Sequence, residues 1–183
     1  MPFRRTGIVL CLGFLLPLQA TAGPSVGKEE FQAAFCLHVA QFIRWPDVSS
    51  KPMRIGVWRS PGTFRSLSRY VATRTLQQRP LMAIDLRDAE GAKDCDLVFI
   101  EGDPDKILSV VKDSPIMTIG VNPKFLEHGG ILQIVPVERR MAFKINWEAA
   151  QKHHLRLGAQ LMSLALNREN IPTRPGSGIG GEP

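Results

Sequence analysis

The chain reads as a single α/β domain: a mixed β-sheet of about five to six strands with helices on both faces, a C-terminal β-hairpin and then two short helices. Three observations carry this. Short apolar, β-branched runs alternate with helical periods between residues 53 and 121, the pattern of strands joined by crossover helices. Two later runs, 131–137 and 141–145, are too close together for a crossover and form a hairpin. With a leader and a tail set aside, roughly 145 residues remain, the size of one domain with one adequate core.

The first helix is expected over Lys28 to Trp45, where Pro46 ends it. Phe31, Phe35, Phe42 and Trp45 follow one helical line, and Ala33, Cys36, Ala40 and Ile43 another about 100° round. A helix apolar on more than one side is buried between layers or shared with a partner. Met53 to Trp58 is a strand, Ser60-Pro61-Gly62 a turn, and Thr63 to about Gln77 a helix with Phe64, Leu67, Tyr70 and Val71 as its apolar line. Leu81 to Leu86 and Asp96 to Ile100 supply two more strands, the second a compact run suited to a buried sheet. Asp103 is the expected N-cap of a helix from Asp105 to Lys112, with Pro104 at its first position.

Ile116 to Val121 is the next strand, Asn122 to Glu127 a short helical turn, and Gly129-Gly130 a tight turn. The hairpin Ile131 to Val137 and Met141 to Ile145 follows, linked by Glu138-Arg139. Asn146 caps a helix from Trp147 to His153, and Leu157, Leu161, Leu164 and Ala165 face the last one inward. Beyond Asn167 the composition turns to proline and glycine, so residues 168–183 read as a disordered tail.

The leader occupies residues 1–22. Arg4 and Arg5 precede an apolar stretch from Gly7 to Leu18, and Ala20-Thr21-Ala22 has the small-x-small pattern of a signal-peptidase site. About twelve apolar residues fall short of the roughly twenty that cross a bilayer. Cys11 lacks the lead-in of a lipid-attachment site. An exported domain beginning at Gly23 is therefore expected, in the periplasm, remote from cytoplasmic nucleotides. Loss of Arg4 and Arg5 takes the formal charge from +6 to +4. The remaining basic residues are dispersed among acids, which argues against nucleic acid as a partner.

Motifs for catalysis are missing. The glycine run in the tail follows no strand and opens no helix, so it holds no phosphate, and neither a Gly-x-Ser-x-Gly elbow nor a two-histidine zinc helix occurs. His153 and His154 are adjacent, pointing about 100° apart on a helix, and read as a surface pair at a helix C-terminus rather than metal ligands. Of the other two histidines, His38 and His128, His38 lies on a mostly apolar helix and reads as a core or interface histidine rather than a ligand. Asp94 and Asp96 flank Cys95 and read as one face of a strand at the sheet edge. No cofactor and no metal are expected.

Aromatic and arginine groups at turns suggest protein contacts instead. Phe42 and Trp45 close the first helix, Phe125 follows a strand end, and Arg139-Arg140 sits at the hairpin turn; the competing reading is that Phe42 and Phe125 fill the core. Cys36 and Cys95 remain after export in a compartment where disulfides form, and spacing does not decide whether they pair.

Taken in order, these segments resemble the YfiR-like family of periplasmic proteins. The resemblance rests on Ala33-Ala34-Phe35 with Phe42-x-x-Trp45-Pro46, on Arg54-Ile55-Gly56-Val57, and on Cys95-Asp96-Leu97-Val98-Phe99-Ile100. Gly129-Gly130-Ile131, Phe143-x-Ile145-Asn146, Leu155-x-Leu157 and Leu161-x-x-Leu164-Ala165 complete it, over about residues 30–167. The resemblance implies a regulator, not an enzyme. Such proteins bind the periplasmic sensor domain of an inner-membrane diguanylate cyclase and hold it inactive, lowering cyclic-di-GMP and biofilm formation. An outer-membrane-associated lipoprotein sequesters the repressor, and family members are also seen as dimers. Relatives with a cysteine at the Cys95 position tend to pair it with one at the position of Gly56, which is missing here. Cys36 stands where relatives more often have an aromatic, leaving either a Cys36–Cys95 bridge or two buried thiols. On this reading a charge at Trp45 or Phe125 releases the cyclase without unfolding the chain. A periplasmic small-molecule binding module is the alternative, because mixed sheets offer crevices at strand ends.

Overall fold

A computed structural model describes residues 27–45, 51–112, 114–138 and 140–171. The leader, Pro46, Arg139 and the tail beyond Ile171 lie outside the described residues. Helix α1 (Lys28–Gln41) is followed by strands β1 (Ile43–Arg44) and β2 (Met53–Trp58), helix α2 (Pro61–Val71), and strands β3 (Thr75–Leu76) and β4 (Arg79–Leu86). A 3-10 turn over Glu90–Asp94 leads into β5 (Leu97–Ile100), α3 (Asp105–Val111) and β6 (Met117–Gly120). The hairpin β7 (Leu132–Val137) and β8 (Arg140–Ile145), α4 (Trp147–Lys152), β9 (Arg156–Leu157) and α5 (Ala159–Ser163) complete it, before a 3-10 turn over Arg168–Asn170.

The sheet has seven strands in the order β3-β4-β2-β5-β6-β7-β8, and β1 pairs separately with β9. The mixed α/β class is as expected, with parallel pairing from β4 to β7 and an antiparallel strand at each edge. Alternation along the strands divides the core. Met53, Ile55 and Val57 of β2 and Leu97 and Phe99 of β5 face α1, α2 and α5. Trp58, Val98 and Ile100 face the opposite layer, where Ile107, Val111 and Phe125 pack. Helices cover both faces because both faces of these strands are apolar.

Several elements depart from expectation. Helix α1 stops at Gln41, four residues early: Ile43 and Arg44 pair antiparallel with Leu157 and Arg156, and Gly158 N–H bonds Phe42 O at 2.7 Å. A β-branched residue with a strand partner outweighs the helical period. Helix α2 likewise stops at Val71, and Thr75-Leu76 turns back on Arg79-Pro80. Gln77 and Gln78 form the connection at φ 49° and 67°, the two left-handed positions of a type I′ hairpin. Pro104, not Asp103, occupies the N-cap of α3, although Asp103 Oδ1 accepts the Asp105 N–H at 3.1 Å. The Asn122–Glu127 segment is a turn rather than a helix. The last helix begins at Ala159, since Leu157 belongs to β9. The fold also runs past Asn167: Arg168–Asn170 form a turn and Ile171 is buried. Asn146 caps α4 as expected, its Oδ1 accepting from Ala149 N–H at 3.0 Å.

Cys36 and Cys95 are both free and buried. A bridge between them is excluded by topology, because Cys36 lies in the core under α1 and Cys95 in the core on the other sheet face. Asp94 and Asp96 do not share a strand face: Asp94 is exposed in the 3-10 turn, whereas Asp96 is clamped by Arg79.

Candidate functional site

Among the described residues no group of histidine, cysteine or acid side chains is arranged to hold a metal. The histidines are dispersed. His153 is buried, with Nδ1 2.7 Å from Ser114 O, so it is no surface partner of the exposed His154. His128 bonds Asp105 on the surface, and His38 is exposed with its ring 5.0 Å from that of Phe42.

The aromatics proposed as contacts separate into two groups. Phe125 has no exposed surface, and its ring is sandwiched between Gly120 and Gly130, where an added Cβ would come within 2.3 and 2.2 Å of ring carbons. Trp45 is also buried in the main core. Neither ring is presented outward, and a charge at either would break the fold rather than release a partner. Gly120→Ala is accordingly expected to cost about 1–3 kcal/mol through overpacking, read as a lowered thermal midpoint. Phe42 is half-buried, and Arg140 is exposed at the start of β8.

What the structure adds is an aromatic ridge on α1 that runs onto β8. Phe31, Phe35, His38 and Phe42 lie along one helical ridge; Phe31 stacks on Phe35 with centroids 5.7 Å apart, and Phe35 meets Phe143 of β8 at 5.6 Å. The chain leaving α5 closes on the same strand, Leu166 N–H bonding Phe143 O at 2.9 Å. Leu164 is 60% exposed, Leu166 45% and Met141 39%, and Met141 shares the Phe143 face of β8 because strand side chains alternate. Isolated exposed hydrophobics are ordinary, but several on the segments that meet Phe143 make this side of the domain the candidate contact surface. Beside it runs the free edge of β8. Asn167 blocks one end of that edge, its amide bonding both Ile145 N–H at 3.0 Å and Ile145 O at 2.8 Å. The Arg140–Ala142 half has no strand partner other than β7 among the described residues.

A second, polar feature lies where β2 and β5 end. Ser60 Oγ is 2.5 Å from Glu101 Oε2 and 2.8 Å from Thr63 Oγ1, and Thr63 Oγ1 reaches Gln32 Oε1 at 2.7 Å. Lys28 Nζ holds the other Glu101 oxygen at 2.6 Å. Burial would raise the Glu101 carboxyl, but the bonds from Lys28 and Ser60 and the Lys28 charge keep it below its ordinary 4.5. A depressed carboxyl stabilises the fold above its unfolded value and loses that contribution as pH falls. Glu101→Gln should therefore flatten the loss of stability between roughly pH 5 and pH 3, measured by urea midpoints across that range.

The fold resembles that of a conserved domain protein from Vibrio cholerae O1 biovar El Tor, known from a crystal structure, with a TM-score of 0.52 at 12% sequence identity. The match covers 76% of this chain and 59% of that one, so the chain spans little more than half of its length. Among curated proteins nothing matches. Residues 29–166 fit the model of the YfiR/HmsC-like family, a span holding α1, the sheet and α5 alike, and the chain belongs to that family.

Proposed function

We propose that this chain is a periplasmic regulator that binds the periplasmic sensor domain of an inner-membrane diguanylate cyclase and holds the cyclase inactive, lowering cyclic-di-GMP and biofilm formation. Membership of a regulatory, periplasmic family supports the general role. The observation that carries the specific reading is the half-buried ridge Phe31–Phe35–Phe42, which meets Phe143 of β8, together with exposed Met141, Leu164 and Leu166 and the open part of the β8 edge. Aromatics left half-buried along the flank of α1 fit a helix shared with another protein. Within the described residues no helix is long and apolar enough to cross a membrane.

Repression is then a population shift: the domain must bind the inactive sensor conformation more tightly than the active one. An outer-membrane-associated lipoprotein would relieve repression by occupying the domain in competition with the cyclase. Exposed Arg140, at the open end of the same strand edge, would set the electrostatic match with the partner. Deletion of the chain should raise cyclic-di-GMP, wild type should restore it, and Leu164→Asp should fail to restore it while melting as wild type does. Unchanged nucleotide on deletion would end this reading.

A further inference from the structure

The open edge of β8 carries a defined set of backbone groups. Ile145 N–H and C=O both meet the Asn167 amide, and Phe143 C=O accepts from Leu166 N–H, whereas Asn146 N–H turns back to Ile131 O. In an antiparallel pair, successive residues alternate between facing the partner strand and facing away from it. Met141, Phe143 and Ile145 therefore face the edge, while Arg140, Ala142 and Lys144 face β7, opposite Val137, Val135 and Gln133. Residues Leu166 and Asn167 of the same chain take up the Ile145 end. Met141 N–H, Met141 C=O and Phe143 N–H are left without a protein partner among the described residues.

The side chains beside these groups select what can pair with them. Met141 and Phe143 lie on the α1 side of the sheet, and Arg140, Ala142 and Lys144 on the other. Arg140 and Lys144 are exposed, and neither makes an ion pair among the described residues. A residue added opposite Ala142 shares their face and lies diagonal to both, roughly 7–8 Å away and within reach of long side chains. Ala142 is small and leaves the space between the two cations open. A carboxylate there meets both charges, while its neighbours on either side fall opposite Met141 and Phe143, on the apolar face. A second copy of β8 fits poorly, because Arg140–Ile145 contains no acid and edge-to-edge pairing would set its cations against each other.

We infer that this edge receives an added β-strand from a protein partner: an extended segment with an acidic residue between two apolar ones, its backbone bonded to Met141 and Phe143 and its carboxylate between Arg140 and Lys144. The inference deepens the proposed repressor role and rests on it for the partner's being a sensor domain.

The test is an amide-resolved NMR titration of the mature chain with the capped peptide Thr-Val-Glu-Val-Thr and, separately, with Thr-Val-Lys-Val-Thr. The Met141 and Phe143 amides should move saturably with the acidic peptide, and the lysine peptide should bind about tenfold more weakly. Met141→Pro removes an N–H that faces the edge rather than β7, a position where strands tolerate proline, and should abolish binding that Met141→Ala retains. Absence of a saturable shift at both amides, equal affinity of the two peptides, or full binding by Met141→Pro would overturn the inference. Shifts of the same amides on dilution of the chain alone would also overturn it, identifying a second copy as the occupant. Because the probe is a peptide and not the cyclase, failure here leaves the repressor role standing, and unchanged cyclic-di-GMP on deletion would end that role without altering the peptide result.

Discussion

Asp96→Ala is expected to destabilise the fold by about 3 kcal/mol, near the lower end of what breaking a buried ion pair costs. Arg79 is almost wholly buried, and its Nη2 sits 2.9 Å from Asp96 Oδ1 and 3.1 Å from Oδ2. The same guanidinium bonds Lys51 O at 2.9 Å and Pro52 O at 3.2 Å, while Asp96 Oδ2 accepts the Arg54 N–H at 2.8 Å. One pair thus ties β4 to the entrances of β2 and β5. Removing the carboxylate leaves a cation in the interior with only carbonyl dipoles for company, and the Arg54 amide loses its acceptor. Arg79→Met combined with Asp96→Ala should recover part of the loss, because the stranded charge is gone. Urea unfolding of wild type and the two variants measures this. A single-variant cost below about 1 kcal/mol would show that the pair behaves as a surface bridge.

Gly56→Cys is expected to raise stability by up to about 4 kcal/mol under oxidising conditions, the chain-entropy value for closing a loop of roughly 40 residues. A Cβ built at Gly56 falls 2.9 Å from Cys95 Sγ, close to the roughly 3 Å between a half-cystine Cβ and its partner sulfur. The side chain of Leu86 lies equally near, and its flexible end must move. Burial pushes the Cys95 thiol up to about 11, so it is mostly protonated at neutral pH and closure should be slow without a catalyst or added oxidant. The reduced variant should be less stable than wild type, since the new side chain has no room unless the bond forms. Nonreducing peptide mapping and melting with and without reductant separate the two states. A variant that stays reduced under strong oxidant would contradict the geometry.

The strands that reach across the core were legible in the sequence because they are largely buried on both faces: Met53–Trp58, Leu97–Ile100 and Met117–Gly120 stand where short, mostly apolar runs place them. The closing hairpin was legible for a different reason, the two residues between its strands. The short strands were not. Ile43–Arg44 and Arg156–Leu157 exist only through each other, and neither has a local signal of its own. Gln77-Gln78 adopts a turn that usually advertises itself with asparagine and glycine.

The candidate surface was half legible. The line of Phe31, Phe35 and Phe42 was visible in the helical period, whereas Leu164 looked like core because exposure is decided by where a short helix docks. Phe125 looked like a contact because it follows a turn. The glycines that sandwich it, Gly120 and Gly130, stand five residues to either side and carry no sign of the ring between them. Cys36 and Cys95 show the same limit: their spacing did not say that α1 and the turn before β5 pack on opposite faces of the sheet, and that packing is what keeps them apart.

In the proposed repressor, the α1 ridge and its α5 flank form the surface that holds a cyclase sensor domain inactive. Its most direct test is a titration of the mature domain against the purified periplasmic domain of the inner-membrane diguanylate cyclase recovered with it from membranes, comparing wild type with Leu164→Asp. Leu164 is exposed enough that a carboxylate there leaves the melting point unchanged, while an interface centre with a buried charge loses about 2 kcal/mol or more, some 30-fold in affinity. Weakening of that size, with folding intact, is the predicted result. Equal affinity of the two proteins for the sensor domain would contradict the account.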